Sequence, residues 1–337
     1  FFFFFFFFFS IINHMAMALF FDRGSSAFCL LLFYFLIVQQ PTQGKVITSQ
    51  IILDRAIISG DGVPQIGYVL NGEMPGPVLR GNVGDELHVK VINNVEGRAI
   101  SFHWHGLTMM GSPWMDGASH ITQCPIGYKE SFEYRFKLDQ AGTYLYHSHD
   151  AGQMVEGLLG ALIVDDPKER ELWKYEEDFV VLIQDWFRVD SETINLMKWK
   201  GYVMGLTYDS ALINGRGSYN CSLYHPSSAS TPFTCDVNST NFLTTYNVDS
   251  SSTYRLRIIS GASTFKFRFS IDSHSFQVIT TDGHLISPIT SDYVDLLAGE
   301  RYDILIKTDQ PPNNYWIRAS VPTGEEVKGF LFIYLFI

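Results

Sequence analysis

Two His-x-His pairs are the residues of this sequence whose types and spacing point most directly to chemistry. One pair is His103 and His105, and the other is His147 and His149; each lies at the end of a segment predicted to be a strand. Side chains at positions i and i+2 of a strand project from the same face, about 6.5 Å apart. If the two strands are neighbours, four imidazoles converge on one patch. Because neutral imidazole binds copper, zinc or iron, we predict a metal site at this patch.

Competing interpretations of the two pairs are weaker. One His-x-His pair arises by chance often enough to be poor evidence, but two pairs in one predicted sandwich favour a metal role. No carboxylate follows either pair at the same two-residue spacing, which argues against a non-haem iron site. Gly97 precedes His103 at the spacing of a cupin-type dioxygenase, but no Glu follows His105 within the next several residues, so this class is set aside. Further histidines without a spacing partner are expected to be surface or hydrogen-bonded residues: His88, His120, His225, His274 and His284.

The rest of the chain is predicted to be β-structure. Short alternating or β-branched segments recur between Gly, Pro, Asn and Asp residues without sustained helical periodicity, which is typical of β-sandwiches. Examples in the first series are Val46–Leu53, Glu86–Ile92, Ile100–His105, Ser131–Phe136, Thr143–His149 and Leu158–Val164. The second series comprises Phe179–Gln184, Thr253–Ile259, Phe265–Ile271, Ser275–Thr280, Arg301–Lys307 and Asn314–Ala319. We therefore predict two sandwiches joined near residue 167, with Lys168–Glu177 as the sole helical segment.

Length and composition agree with two globular domains and exclude one class of partner. The chain has 337 residues, of which 46% are hydrophobic and 18% charged, a balance typical of folded proteins. Its net charge is -11. Nucleic-acid binding needs clustered Lys and Arg side chains that neutralise phosphates, so we expect no nucleic-acid partner.

The two ends of the sequence are predicted to lie outside the domains. Residues 1–44 contain a run of nine phenylalanines, then Arg23, the apolar stretch Ala27–Val38 and a polar exit, an order typical of a secretory signal peptide. The apolar stretch is shorter than the roughly 20 residues that a spanning helix needs, so a signal anchor is the less favoured alternative. We expect a secreted protein and find no firm evidence for a membrane partner. Residues 323–337 are expected to be a non-native tail from intron read-through.

Cysteines and glycosylation sequons are consistent with secretion. Cys221 and Cys235 bracket a loop rich in Ser, Thr and Pro, and a disulfide between them is compatible with an oxidising compartment. Cys124 is then left over, which indicates either a free thiol or a missing partner. Sequons at Asn220 and Asn238 place the same loop on the surface and predict a glycoprotein.

Longer motifs around the histidines carry a resemblance to a known family. The segments FHWHGL, SPWMDGASHITQCPI and GTYLYHSHDAGQMVEGLLGALIVDDP occur in that order. They resemble the first domain of multicopper oxidases of the laccase and ascorbate-oxidase type, and STYRLRIISGASTFKFRFSIDSHSFQVITTDG resembles the second domain. The resemblance extends over roughly residues 46–320. It implies two consecutive cupredoxin-like (plastocyanin-like) Greek-key β-sandwich domains, residues 45–168 and 169–322.

The resemblance also implies a copper cofactor and a role for each residue of the site. His103 would hold the type 2 copper, and His105, His147 and His149 would hold the paired type 3 coppers. Asp116 resembles the catalytic carboxylate that lies behind the ligands and helps deliver protons during dioxygen reduction. An Asp beside a Gly is also a common turn residue, so a purely structural role for Asp116 stays open. Cys124 matches the family cysteine that bonds to the far carboxyl-terminal tail.

Departures from the family pattern limit what this chain is expected to do alone. The type 1 copper needs a His-Cys-His segment, and Ser148 stands between the second pair of histidines. The His-x-x-His-x-His motif is also absent after residue 149, so half of the eight ligands of the trinuclear cluster are present and the type 1 site is missing. The family places these elements in a third domain.

Two functions follow as expectations. The first is a laccase-like oxidase that couples one-electron oxidation of phenols or similar small reductants to reduction of dioxygen to water; it requires a third domain, and this chain alone is expected to be inactive. The alternative is a non-catalytic secreted copper-binding protein. The sequence leaves the reductant open among phenols, ascorbate, amines and ferrous iron.

Overall fold

The computed structural model describes residues 44–150, 152–201, 209–219 and 243–321, together with the backbone of residues 331–336. Within these ranges the chain is built almost entirely of β-strands, arranged in four sheets. The expected leader, the disulfide between Cys221 and Cys235, and the sequons at Asn220 and Asn238 lie outside the described residues. These expectations therefore stay predictions.

The first sandwich pairs two four-stranded sheets. Its strands are β1 (Val46–Ile58), β2 (Gln65–Leu70), β3 (Gly76–Asn82), β4 (Glu86–Asn93), β5 (Phe102–His105), β6 (Ser131–Lys137), β7 (Gly142–Ser148) and β8 (Leu159–Asp165). One sheet has the order β2-β1-β4-β6, and the other has the order β3-β8-β7-β5. Strands distant in sequence lie side by side in both sheets, β1 parallel to β4 and β3 parallel to β8, while the other pairs are antiparallel.

The second sandwich pairs a six-stranded sheet with a five-stranded sheet. Its strands are β9 (Asp178–Trp186), β10 (Ser210–Ile213), β11 (Thr245–Asn247), β12 (Thr253–Ser260), β13 (Phe267–Ile271), β14 (Phe276–Thr281), β15 (His284–Ser291), β16 (Tyr293–Leu296), β17 (Arg301–Lys307), β18 (Asn314–Ser320) and β19 (Leu331–Phe336). The sheet orders are β10-β9-β12-β17-β14-β15 and β11-β19-β18-β13-β16. The predicted all-β class with two consecutive sandwiches is therefore confirmed.

The link between the sandwiches contains the expected helical segment. Helix α1 (Pro167–Trp173) follows β8, and the side chain of Asp166 caps it by accepting a hydrogen bond from the Lys168 backbone N–H at 2.9 Å. The boundary expected between residues 168 and 169 thus falls inside α1. Gly44–Ile337 form one compact unit, so the two sandwiches pack as neighbours rather than as separated bodies.

A second helix was not expected and corrects the prediction of a sole helical segment. Helix α2 (Ser191–Trp199) begins after Asp190, whose carboxylate accepts hydrogen bonds from the backbone N–H and the hydroxyl of Thr193, both at 2.9 Å. Its Ile194 is buried in a small cluster with Val155 and Phe187. Nine residues are too few for a sustained periodic pattern, so the cap and this packing stabilise the helix where the pattern alone did not predict it. No helix in the described ranges is long and apolar enough to cross a membrane.

Part of the expected non-native tail continues a sheet. The backbone of β19 pairs antiparallel with β18 and parallel with β11. Its sequence, LFIYLF, is rich in the aromatic and branched residues that favour strands. Strand pairing does not test the origin of these residues, so the read-through expectation stays a prediction.

The two faces of strands β5 and β7 have different surroundings. Phe102, Trp104, Tyr144 and Tyr146 alternate along these strands and are fully buried in the core of the first sandwich. The residues between them therefore project to the opposite face of the sheet. On that face an apolar cluster joins the two sandwiches, formed by Leu145, Leu159, Ala161, Leu182 and Ile259.

A buried ionic cluster accompanies this apolar contact between the sandwiches. Asp303 of β17 is fully buried between Arg255 and Arg257 of β12 and accepts a hydrogen bond from the Thr143 hydroxyl of β7 at 2.6 Å. The guanidinium of Arg255 also pairs with Glu169 of α1 at 2.8 Å. Burial alone would raise the pKa of Asp303, but the charges of Arg255 and Arg257 outweigh it and hold the pKa below its usual range. Asp303 is therefore a buried anion that joins both sandwiches.

Replacing Asp303 by Asn is expected to lower the free energy of unfolding by about 3 kcal/mol or more, because it leaves two buried guanidinium groups short of a counter-charge. Asp295→Asn is the matched control, since Asp295 pairs with Arg268 on the partly exposed surface of the same sandwich, at 2.7 Å. The control is expected to change the free energy by less than about 1 kcal/mol. Urea unfolding of both variants checks this; equal effects would contradict a special role for the buried cluster.

Candidate metal centre

The strands that carry the two histidine pairs are direct neighbours. Strands β5 and β7 are antiparallel, with His103 opposite His147 and His105 opposite Leu145. His149 follows β7 by one residue, and its backbone N–H donates to the Ser101 carbonyl at 3.2 Å, which keeps it beside the start of β5. The condition stated from the sequence is met, and all four imidazoles lie on the same face of one sheet.

Four imidazole rings form a compact cluster centred on His103. The centroid of the His103 ring lies 5.6 Å from that of His105, 5.4 Å from that of His147 and 5.2 Å from that of His149. One ring nitrogen from each of His103, His105 and His147 lies within 4.8 Å of the others. These three side chains are half-buried, whereas His149 is exposed and leaves one side of the cluster open.

Main-chain carbonyls set the tautomer of two of the rings. The Nδ1 atoms of His103 and His147 lie 2.9 Å from the Asp116 carbonyl oxygen and 2.8 Å from the Ser148 carbonyl oxygen, respectively. A carbonyl only accepts, so Nδ1 of each ring carries the proton and Nε2 of the neutral ring offers a lone pair. This is the arrangement of a metal-binding histidine whose other nitrogen donates to a neighbouring group.

The separation of two nitrogens fits a shared ion. Nδ1 of His105 lies 3.3 Å from Nε2 of His147. Two nitrogens bound about 2.0 Å from one ion at a near-tetrahedral angle lie about 3.3 Å apart. The three closely spaced donors are all imidazoles, a set that suits copper, zinc or iron better than calcium or magnesium. The residues therefore fit a copper site by donor type and spacing.

The environment keeps two of the imidazoles neutral. Burial, followed by the positive charge of Arg301, lowers the pKa of His105 to about 4. Burial also lowers the pKa of His147 to about 3, against the opposing effect of its hydrogen bond to the Ser148 carbonyl. A cation binds the neutral imidazole, so at neutral pH protons do not compete with a metal at these two side chains.

Asp116 touches the cluster through its main chain. It ends a short 3₁₀ helix, Pro113–Met115, and its carbonyl orients the His103 ring. Its partly exposed carboxylate lies 3.4 Å from Nδ1 of the same ring. The following Gly117 has a positive φ of 81°, and a Cβ there would overlap the Phe102 carbonyl, so the turn packs directly on β5. The turn role of Asp116 is visible, while its predicted part in proton delivery stays a prediction.

Ser148 and Gln153 support the second histidine pair, a role that the sequence analysis predicted for neither residue. The Ser148 hydroxyl donates to the Gln153 side-chain oxygen at 2.8 Å and accepts from the Asp150 backbone N–H at 3.2 Å. The Gln153 amide donates to the Ala99 carbonyl at 3.0 Å. Both side chains are buried. Together they hold the chain where it turns after β7. The feature of the sequence that could have indicated this role is the polar Ser148 between two predicted ligands.

The other predicted histidines that the structure describes have partners of their own and do not join the four rings. His88 pairs with Glu86 at 2.7 Å, and Nδ1 of His274 and of His284 each bond a nearby carbonyl oxygen. His120 has its backbone N–H bonded to the Gln123 carbonyl and is exposed, and His225 lies outside the described residues. Cys124 is exposed and forms no disulfide within the described ranges, so its predicted bond to a distant tail stays untested.

Comparisons with known protein families agree with the geometry. A family model described as multicopper oxidase matches residues 54–169, and a second model with the same description matches residues 177–331. L-ascorbate oxidase from Brassica rapa subsp. pekinensis is 37% identical over 262 residues, covering 75% of this chain and 45% of that protein. Laccase-2 from Thanatephorus cucumeris is 38% identical over 272 residues, covering 78% of this chain and 43% of that protein.

Solved structures show the same fold. The crystal structure of laccase from Botrytis aclada superposes with a TM-score of 0.74 at 29% identity, covering 87% of this chain and 53% of that one. The structure of Fet3p, a multicopper oxidase that functions in iron import, superposes with a TM-score of 0.73 at 22% identity, covering 86% of this chain and 52% of that one. This chain spans somewhat less than half the length of the curated relatives above.

In its metal-free form the chain is expected to lose stability as the pH falls below about 6.5. Imidazoles of the unfolded chain take up protons near pH 6.5. The folded chain resists protonation of His105 and His147 until about pH 4 and about pH 3, so between these values only the unfolded state gains protons. Urea unfolding at pH 7.5 and pH 5.5 measures this, and His147→Ala should reduce the pH dependence while His284→Ala should not. An NMR titration of His147 with a midpoint near 6.5 would show the expectation to be wrong.

Proposed function

This chain belongs to the multicopper oxidase family, and we propose that it contributes two cupredoxin-like sandwiches and four copper ligands to a laccase-like oxidase. The oxidase couples one-electron oxidation of a small-molecule reductant to the reduction of dioxygen to water. Family membership supports copper as the bound metal. Bound copper supplies the one-electron redox chemistry and the site at which dioxygen is reduced.

The observation that carries the proposal is the convergence of four imidazoles on the outer face of the first sandwich. Nε2 of His103 and of His147 offers a lone pair, and Nδ1 of His105 faces the second of these atoms at 3.3 Å. We assign His103 to the type 2 copper and His105, His147 and His149 to the type 3 pair. The exposure of His149 leaves room for further ligands on the open side of the cluster.

Each supporting residue has a specific task in this proposal. The Asp116 and Ser148 carbonyls hold protons on Nδ1 of two ligands, so the opposite nitrogens are ready to bind metal. The Asp116 carboxylate is partly exposed beside His103, a position from which it can exchange a proton with solvent and carry it toward the cluster. Gln153 fixes Ser148 and thereby the spacing of the second pair.

The cluster needs more ligands than the described residues provide. The type 1 copper and the other four ligands of the trinuclear cluster are assigned to residues outside the described ranges, on a third sandwich. The alternative of a non-catalytic copper-binding protein gains no support from the comparisons. The relatives are named for ascorbate oxidation and as laccases, so ascorbate and phenols are the reductants to test first.

Secretion is a separate proposal that rests on the leader sequence and on the sequons at Asn220 and Asn238.

His103→Ala or His147→Ala is expected to weaken copper binding by at least about tenfold. Each substitution removes an imidazole whose Nδ1 carries the proton and whose Nε2 is therefore free to bind the metal. His88→Ala is the matched control, since His88 pairs with Glu86 on β4, in the opposite sheet of the same sandwich. Competition with a chromophoric chelator gives the affinity of each variant for Cu(II), and electron paramagnetic resonance reports the nitrogen ligands. Unchanged copper binding in both ligand variants would refute the assignment.

Oxidase activity is tested on a full-length protein that contains the third sandwich. Oxygen uptake is measured with ascorbate and with a phenol, before and after copper removal. Uptake that requires copper and is lost in His103→Ala supports the proposal. Copper binding without oxygen uptake from any of the four reductant classes would instead favour the non-catalytic alternative.

A further inference from the structure

A turn of the second sandwich packs against a ligand of the first. Residues 297–300 connect β16 to β17, and Gly299 lies against the imidazole of His105. A Cβ atom placed on Gly299 would lie 2.5 Å from Cε1 and 2.7 Å from Nε2 of that ring. Real Cβ atoms do not approach other heavy atoms this closely, so the ring and the turn are in direct contact with no room between them.

The turn is held so that it has little freedom to move away from the ring. The backbone N–H of Gly299 donates to the Ser260 carbonyl at 3.0 Å, and the Ser260 N–H donates to the Glu300 carbonyl at 3.0 Å. The Glu300 carboxylate accepts from the Leu297 N–H at 2.7 Å. Ser260 itself is fully buried at the end of β12, so the turn is tied to the interior of the second sandwich.

Arg301 ties the same turn to the first sandwich. Its Nε donates to the Thr143 carbonyl of β7 at 3.0 Å, and another guanidinium nitrogen donates to the Gly299 carbonyl at 2.9 Å. The guanidinium lies over the Tyr144 ring, 5.5 Å from its centroid, and a Cβ on Gly106 would overlap it. Arg301 is buried and thus bridges the turn to the strands that carry the histidines.

We propose that the turn 297–300, clamped by Arg301, is the element that positions His105 for copper, so that the second sandwich sets the geometry of a ligand on the first. This inference rests on the proposed function of His105 as a ligand. One side of the His105 ring is fixed by Gly299, and Nδ1 on another side faces His147. Gly299 and Arg301 are positioning residues, because they act on the metal through His105 rather than by binding it.

Gly299→Ala tests the contact, and Gly72→Ala is its matched control. Gly299 has φ 80° and Gly72 has φ 81°, so both substitutions impose the same left-handed backbone strain. A Cβ on Gly72 meets nothing within 4 Å, whereas a Cβ on Gly299 meets the His105 ring. A difference in copper binding between the two variants therefore reports the displacement of the His105 ring, because the backbone strain is the same in both.

The expected result is that Gly299→Ala weakens Cu(II) binding by the whole chain about 10- to 100-fold relative to Gly72→Ala, the range found when groups that orient ligands are altered. The nitrogen hyperfine pattern of the bound Cu(II) is expected to change in Gly299→Ala alone. In the metal-free chain, NMR signals of the His105 ring are expected to shift in the same variant. Equal affinities, spectra and ring signals in the two variants would overturn the inference.

Arg301→Gln, compared with Arg268→Gln, tests the clamp. Arg268 pairs with Asp295 on the surface of the second sandwich, so its loss removes a guanidinium without touching the turn. Arg301→Gln is expected to shift the His105 signals and weaken copper binding, whereas Arg268→Gln leaves both unchanged. Thermal melting is followed in parallel, and Gly299→Ala decides the matter if Arg301→Gln does not fold.

The two proposals fail in distinguishable ways. If His105→Ala binds Cu(II) as well as the unaltered chain does, the assignment of His105 as a ligand fails. If His105→Ala loses affinity while Gly299→Ala matches Gly72→Ala, the ligand assignment stands and the positioning role fails. The NMR comparison needs no metal, so it decides the positioning of the ring in either case.

Discussion

The alternation of side chains between the two faces of β5 and β7 is the constraint on which the rest of this structure depends. One face of these strands presents Trp104, Tyr144 and Tyr146 to the core, and each buried aromatic side chain contributes roughly 2 to 3 kcal/mol. A shift by one residue would expose these rings and place imidazoles in the core. The burial of the aromatic face therefore fixes the register, and with it the position of His103 opposite His147.

The opposite face of the same strands is divided between chemistry and packing. Leu145 packs against Leu182 and Ile259 of the second sandwich, while the neighbouring histidines remain only partly covered. The buried cluster around Asp303 lies beside this apolar contact. Hydrophobic packing alone tolerates sliding, whereas a buried carboxylate between two guanidinium groups is satisfied in one arrangement. We infer that the cluster contributes more to the orientation of the sandwiches than to their net stability.

Orientation of the sandwiches matters because the second one reaches the histidine cluster. Gly299 lies in the turn that leads into β17, and Arg301 and Asp303 are the first and third residues of that strand. A change in the docking angle would thus be transmitted to the His105 ring through a contact without intervening space. The donor nitrogens of His103 and His147 are in addition prepared by main-chain carbonyls, so metal binding needs little rearrangement of either sandwich.

The sequence by itself determined the β-class, the two series of strands and the two His-x-His pairs, because these depend on local alternation along each strand. It also contained the motifs that resemble multicopper oxidases. It did not predict α2, whose nine residues are stabilised by the Asp190 cap and by contacts distant in sequence. Only the tertiary structure decided that Thr143 meets Arg301, 158 residues further along the chain, and that Gly299 closes on His105. Such contacts arise from how two separately folded sandwiches dock, and no spacing within either one encodes that geometry.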